Sequence, residues 1–167
     1  MSSILKVSEI QEPTNGNTAI SIASDGKMTT SQYIQQNGIP RFSAHSGTDQ
    51  TATGPAVIQF TTADVNVGNC YSTSTYRFTA PVAGDYYLFY TAMSNGANYI
   101  RSRLRKNGST YIGPEFFTEN QTYARTSAAI IATLAANDYV EVIYDTLGND
   151  QGPIHGGYRN FCGYLVG

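Results

Sequence analysis

Charge is scarce in this sequence. Asp, Glu, Lys and Arg make up 13% of the 167 residues and leave a formal net charge of −2. That argues against a nucleic-acid-binding surface, which needs a concentration of basic residues to meet phosphate. Tryptophan is absent, and histidine and cysteine occur twice each. Two cysteines without ligand spacing do not make a structural zinc site. His45 and His155 lie far apart in the chain with no motif around them. They point to surface or packing roles rather than to catalysis or metal binding, which need convergent partners. No G-x-S-x-G, Walker loop or H-E-x-x-H is present, so the sequence shows no sign of an enzyme or of a bound cofactor. No segment reaches the roughly 20 apolar residues of a membrane span, and membrane insertion is not expected. The opening MSSILKVSEIQEPT lacks the basic flank, apolar run and cleavage site of a secretory signal, so the expected route is not secretion.

In place of charge the chain is rich in Ser, Thr, Asn, Gln and Gly, and it carries 13 tyrosines. A polar, uncharged, β-prone composition suits a protein facing the outside world. The length suits one domain with a short extension, burying roughly 70% of its unfolded surface. The strongest local signal is Tyr86-Tyr87-Leu88-Phe89-Tyr90. At a period of two, Tyr86, Leu88 and Tyr90 share one face, and Tyr87 and Phe89 share the other. A strand apolar on both faces needs a core on one side and a second sheet, a loop or another subunit on the other.

Residues 1–40 carry only scattered short apolar runs. Asn15-Gly16 and Asp25-Gly26 are turn dipeptides flanking a brief strand at Ala19–Ile22. TTSQYIQQNGIP, residues 29–40, reads as a linker or short helix ending at Asn37-Gly38. From Arg41 the spacing becomes regular. Arg41–His45 and Val57–Phe60 read as strands separated by a turn-rich loop. Beyond the central strand, Asn95-Gly96 and Asn98 mark a turn. Tyr99–Lys106 then alternates, with Arg101, Arg103 and Arg105 on one face and Ile100, Ser102 and Leu104 on the other. Gly113-Pro114 breaks the chain before Phe116-Phe117. Ser127–Leu134, Val140–Tyr144 and Tyr158–Val166 complete the series of strand signals. Regular strand–turn spacing without a convincing helix supports an all-β sandwich.

One spacing is far more specific than composition. Phe60, Asn66, Tyr71, Phe78, Gly84, Tyr86, Leu88 and Tyr90 follow F-x5-[ND]-x4-aromatic-x6-F-x5-G-x-Y-x-F-x-[FY]. This resembles the signature of the globular head of complement component one-q, a relative of the tumour-necrosis-factor jelly roll, with Leu88 where that family has Phe. Leu104–Gly108 is similar to the family's apolar strand running into Lys-Asn-Gly. Leu134–Val140 resembles its L-x-x-G-D-x-V step, with Asn137 in place of Gly, and Phe161–Leu165 is similar to its closing F-x-G-x-L. The resemblance covers residues 41–167. It implies an antiparallel jelly-roll head that assembles as a homotrimer, with Tyr86, Tyr87, Phe89 and Tyr164 as candidates for packing between subunits. Some relatives bind calcium in head loops, and Asp145 and Asp150 in DTLGNDQG are the candidates here, without the spacing of a recognised calcium loop.

NGNTAISIASDGKM resembles stem or attachment segments of bacteriophage tail and fibre proteins. Residues 1–40 are therefore expected to be an attachment arm contacting other virion proteins. The reading is a non-enzymatic, homotrimeric virion protein, a phage tail-fibre or appendage component that binds a host surface. A capsid decoration trimer and a soluble lectin-like module are the alternatives. Tyr71, Tyr76, Tyr99, Tyr111 and Tyr123 lie at or near predicted turns and, with Arg101, Arg103 and Arg105, form the candidate surface for a host glycan. The plainer alternatives are sandwich packing for the tyrosines and a solvated strand face for the arginines. Cys70 and Cys162 are either a disulfide or buried free thiols. Asn107-Gly108-Ser109 and Asn120-Gln121-Thr122 match the glycosylation acceptor pattern, which arises easily by chance in so Asn- and Thr-rich a chain.

Overall fold

The computed structural model describes residues 9–11, 18–25, 28–30, 38–51, 55–95, 97–145 and 153–167. The chain divides into two compact units, Met1–Asn37 and Gly38–Gly167. In the first, Glu9–Gln11 (β1), Thr18–Ile22 (β2) and Met28–Thr30 (β3) form a three-stranded antiparallel sheet with β2 in the middle. β2 contains the predicted Ala19–Ile22 strand, and a turn follows at Ser24–Asp25. Met28–Thr30 is a strand where the sequence reads as the start of a linker. Its two β-branched threonines suit the extended backbone, which pairs with β2. The Asn15-Gly16 turn and residues 31–37 of the expected linker or short helix over 29–40 lie outside the described residues.

The second unit contains two antiparallel sheets. One is built from Arg41–His45 (β4), Thr62–Val67 (β6), Gly84–Met93 (β9), Arg125–Leu134 (β12) and Asn160–Leu165 (β14), in the order β12-β9-β14-β4-β6. The other comprises Ala56–Val57 (β5), Tyr71–Ser72 (β7), Arg77–Thr79 (β8), Ala97–Lys106 (β10), Thr110–Thr122 (β11) and Tyr139–Asp145 (β13). Its order is β11-β10-β13-β8-β7, with β5 also pairing β13. No α-helix occurs among the described residues, and a 3₁₀ turn at Gly156–Tyr158 precedes β14. This is the all-β jelly-roll sandwich that the sequence predicts.

The central strand β9 shows why the sheets stack. Tyr86, Leu88, Tyr90 and Ala92 are fully buried, whereas Tyr87 and Phe89 on the opposite face are half-buried. The inner face meets Phe42, Phe60, Phe78, Phe161 and Tyr71 in one aromatic core. Phe42 is its hub, stacked on Tyr71 and Phe78 at 5.1 and 5.0 Å and edge-on to Phe161 at 4.8 Å. Gly163 lets these layers close. A Cβ there would lie 2.6 Å from the Tyr87 carbonyl oxygen and 3.1 Å from the Phe42 ring. A buried hydroxyl chain crosses the core from Tyr90 to Ser102 (3.0 Å) and on to Thr126 (2.6 Å), tying β9 and β12 to β10. Burial pushes the Tyr90 phenol up to about 12, so it remains a neutral partner in that chain.

Three local expectations need correction. The strand at Val57–Phe60 ends at Val57, because the Gln50 side chain takes over the backbone groups beyond it. Gln50 Nε2 donates to the Val57 carbonyl (2.9 Å), and its Oε1 accepts from the Gln59 amide (2.8 Å). Gly113-Pro114 does not break the chain, since β11 runs continuously through it as an edge strand. Between the pairs Ser102↔Phe116 and Leu104↔Ile112 the register shifts, so β11 carries extra residues as a bulge. Gly113 supplies a left-handed φ of 71° there, and an edge tolerates a proline without a donor. Strand β6 is not expected from the sequence, although TADVNV alternates polar and apolar, because its apolar positions are only Ala63, Val65 and Val67 at a largely exposed edge. The turn before β13 is as predicted. Asn137 adopts φ 71°, the conformation for which glycine is preferred.

Candidate recognition and assembly surfaces

The arginine stripe on β10 lies on the outer face of the six-stranded sheet, as its alternation predicts, but carboxylates of this chain already engage it. Arg101 and Arg103 both reach Glu115 on β11, at 2.6 and 2.8 Å, and Arg103 also meets Asp145 at 3.0 Å. Arg105 bonds Glu141 through Nε at 2.8 Å and Nη2 at 2.7 Å, and Arg77 reaches the other oxygen of Glu141 at 2.9 Å. Glu141 is 0% exposed and so forms a buried anion clamped between two half-buried cations. The hydrogen bond from Arg101 holds the Glu115 carboxyl below the usual carboxylate range, and the same contact raises Arg101. Tyr111 is exposed on this sheet with the Arg103 guanidinium over its ring at 3.3 Å. The stripe is therefore a charge-neutralised network. Glu141 could not be read as its partner, since it lies 36 and 64 residues from the two arginines it holds.

The outer face of the five-stranded sheet is aromatic. Tyr87 packs on Tyr164 of the neighbouring strand with ring centroids 5.3 Å apart, and Phe89 lies two residues further along β9. Tyr164 is 47% exposed, and Ile131, which pairs with Tyr87 across β12, is 66% exposed. Tyr86, by contrast, is wholly inside the sandwich, and its hydroxyl donates to the Val82 carbonyl at 2.8 Å. It is a core residue and not a seam residue, because the period of two sends it inward. Ile131 is the residue that the sequence reading missed, since SAAIIATL has no clean alternation of polarity.

A third group gathers at the end of the five-stranded sheet where β9 finishes and β12 begins. Tyr123 occupies the turn between β11 and β12 with φ 62° and an exposed ring. His155 caps the 3₁₀ turn by accepting from the Gly157 amide (3.2 Å) and stands edge-on to Tyr158 at 4.7 Å. Arg125 lies over the same Tyr158 ring at 5.9 Å. Beneath them Arg159 is only 3% exposed and donates to the carbonyls of Ile154 and Thr48 and to the Ser46 hydroxyl, at 3.2, 2.7 and 2.9 Å. Burial lowers this guanidinium to about 10, and it stays protonated at neutral pH.

The predicted recognition residues are thus dispersed. Tyr71 is buried at 4% exposure with its hydroxyl on the Phe60 carbonyl (3.1 Å), so it cannot face a ligand. Tyr76 is half-buried in the turn after β7, with φ 60°. The Tyr99 side chain and residues 146–152, including Asp150, lie outside the described residues. Asp145 is held by Arg103 and Arg101. Among the described residues no group of acidic, His or Cys side chains is placed to hold a metal ion. Asn107 has a structural role, donating to Asp138 at 2.7 Å and accepting from the Tyr139 amide at 2.9 Å. His45 bonds Asp64 at 2.8 Å. Cys70 and Cys162 are free thiols on opposite faces of the fold's layers, Cys70 in the core and Cys162 on the outer strand face. Burial pushes the Cys70 thiol up to about 11.

Two antiparallel sheets around an aromatic core, with side chains for contact at the surface, define a jelly-roll module of the tumour-necrosis-factor-like class. The family model of the C1q domain matches residues 41–166, and the chain belongs to that family. Its fold is similar to the globular domain of zebrafish complement 1qA protein, with 21% identity and a TM-score of 0.65 over 77% of this chain and 98% of that one. Murine APRIL superposes with a TM-score of 0.60 at 8% identity, covering 77% and 99% of the two chains. The tumour-necrosis-factor protein Eiger from S. frugiperda gives 0.59 at 11% identity, covering 78% and 94%. Domains of this class are generally non-enzymatic recognition modules and commonly form homotrimers.

Proposed function

We propose that this chain is a non-enzymatic recognition protein that works as a homotrimer, with the outer face of the five-stranded sheet as its subunit seam. The observation that carries this reading is the outward-facing set of half-buried Tyr87 and Phe89 with exposed Tyr164 and Ile131. A contiguous apolar face of this kind on a protein with so little charge is a surface for another chain. A threefold assembly buries the same patch on every copy, and the class to which the fold belongs assembles in this way. Within that reading the trimer is a component of a virus particle, a phage tail fibre or appendage that attaches to a host surface. Its support is the separate N-terminal unit with three short strands and a turn-rich sequence similar to fibre stems. Strands of three to five residues are short for independent stability, and contacts with neighbouring chains in the particle would offset the entropy of ordering them.

Deleting residues 1–37 tests this division of labour. The head, with its own core and both sheets intact, should stay soluble, folded and trimeric while losing incorporation into virions. Truncated protein that aggregates, or that still assembles on particles at full occupancy, would overturn the assignment of attachment to the N-terminal unit.

A further inference from the structure

The end of the five-stranded sheet where β9 meets β12 carries two adjoining pockets, of whose lining residues only Tyr123 belongs to the predicted recognition set. One, of about 370 Å³, is lined by His45, Thr91, Arg125, Tyr158, Arg159 and Asn160 together with Gly157. The other, of about 400 Å³, is an aromatic cup formed by Met93, Tyr123, His155 and Tyr158. Tyr158 is their common wall, and both are of a size that holds a small ligand.

Among the described residues the first pocket has no carboxylate in its lining, and the nearest bonded to that lining is Asp64, on His45. The Oγ1 of Thr91 and the Nε of Arg159 are buried there without a hydrogen-bond partner among the described residues. Native proteins rarely leave such atoms orphaned unless something else comes to meet them. Arg125 makes no ion pair among the described residues. Its guanidinium has only the Met93 sulfur at 3.9 Å and the Tyr158 ring as company. A cation beside an aromatic ring, with an unmet threonine hydroxyl in the same lining, is an arrangement that receives a carboxylate. Tyr123, held at a left-handed φ of 62°, adds an exposed ring to the cup next door. Such conformations are costly for a bulky side chain and collect where a surface is built for contact.

We propose that these two pockets together bind a carboxylated sugar, a pyranose of the uronic-acid kind, with its carboxylate at Arg125 and Thr91 and its ring against Tyr158 and Tyr123. The site rests on the recognition reading and gives it a ligand class. The site borders the subunit seam. Thr91 shares the outer face of β9 with Tyr87 and Phe89 and lies two residues, roughly 7 Å at strand spacing, beyond Phe89 toward the end of the sheet.

Titration calorimetry of the full chain with glucuronate, glucose and acetate tests it. Glucuronate should bind, with glucose and acetate each weaker by about tenfold or more, as expected when one charge-assisted contact or the ring contact is missing. Arg125→Gln should weaken glucuronate by about tenfold with an unchanged melting temperature, and Thr91→Val should weaken it in the same direction. Glucuronate binding that is absent, equalled by glucose, equalled by acetate or indifferent to Arg125→Gln overturns the proposal. Light scattering on the same samples separates the two readings. A trimer that ignores glucuronate overturns this inference alone, whereas a monomer that binds it overturns the assembly reading alone.

Discussion

Glu141 offers the sharpest test of how the head holds together. Its side chain is 0% exposed, and it accepts from Arg77 Nε at 2.9 Å and from Arg105 Nε and Nη2 at 2.8 and 2.7 Å. Glu141→Gln keeps the shape but removes the charge and turns an amide N–H toward one of the guanidinium groups. Breaking a fully buried ion pair costs about 3–5 kcal/mol. Here the cations are 37% and 23% exposed and can recover water, which lowers the expected loss to about 2–3 kcal/mol. For a domain of this size that is a fall in melting temperature of roughly 6–12 °C. Thermal denaturation followed by circular dichroism at fixed protein concentration reads it directly. The triple replacement Arg77→Met, Glu141→Leu and Arg105→Met should restore most of the loss, because no buried charge is then left alone. A Glu141→Gln protein melting within about 2 °C of wild type would refute the argument that this buried anion organises the sheet.

Two further outcomes follow from the same chemistry. Glu115, Asp49 and Asp138 all titrate below the usual carboxylate range, mainly through hydrogen bonds from Arg101, the Gly156 amide and Asn107 respectively. Groups lowered on folding add stability that is fully present above their unfolded pKa and is lost as pH falls through the folded one. Melting temperature should therefore be flat from pH 7 to about 5 and decline below about 4; a protein that melts higher at pH 3 than at pH 6 contradicts this. Both thiols are raised by burial, so a thiol-specific chromogenic reagent at pH 8 should react slowly with native protein and with two groups after unfolding. A mass 2 Da short of the sequence in non-reducing conditions, the sign of a Cys70–Cys162 disulfide, would contradict the free-thiol assignment.

What the sequence discloses is the part of the fold set by regular periods. The strands at Arg41–His45 and Tyr86–Tyr90, and the alternating faces of the arginine strand, are legible because side-chain direction follows residue parity. The left-handed turn at Asn137 is legible because few residue types adopt that conformation. Parity also explains the error at Tyr86, which shares the inward face with Leu88 and Tyr90 whatever its aromatic character suggests. Tyr71 was misplaced for a different reason. It sits beside a turn, yet Phe42, 29 residues earlier in the chain, stacks on it and draws it into the core. Contacts of that range are invisible to local pattern. The same holds for the Glu141 clamp and for the paired pockets, whose walls come from β4, β9, the turn into β12, β12, β14 and the segment before it. No stretch of sequence carries that site, so only the folded arrangement of strand ends discloses it.

The aromatic face of the five-stranded sheet is the proposed subunit seam. The most direct test is the mass of the full chain in solution, measured by light scattering after size exclusion at micromolar concentration, alongside the variant Ile131→Lys. Wild-type protein should run at three times the 18.1 kDa chain mass. Ile131→Lys places a charge on the most exposed apolar side chain of that face and should yield folded monomer with unchanged far-ultraviolet circular dichroism. A wild-type monomer, or a trimer indifferent to the lysine, would contradict the claim.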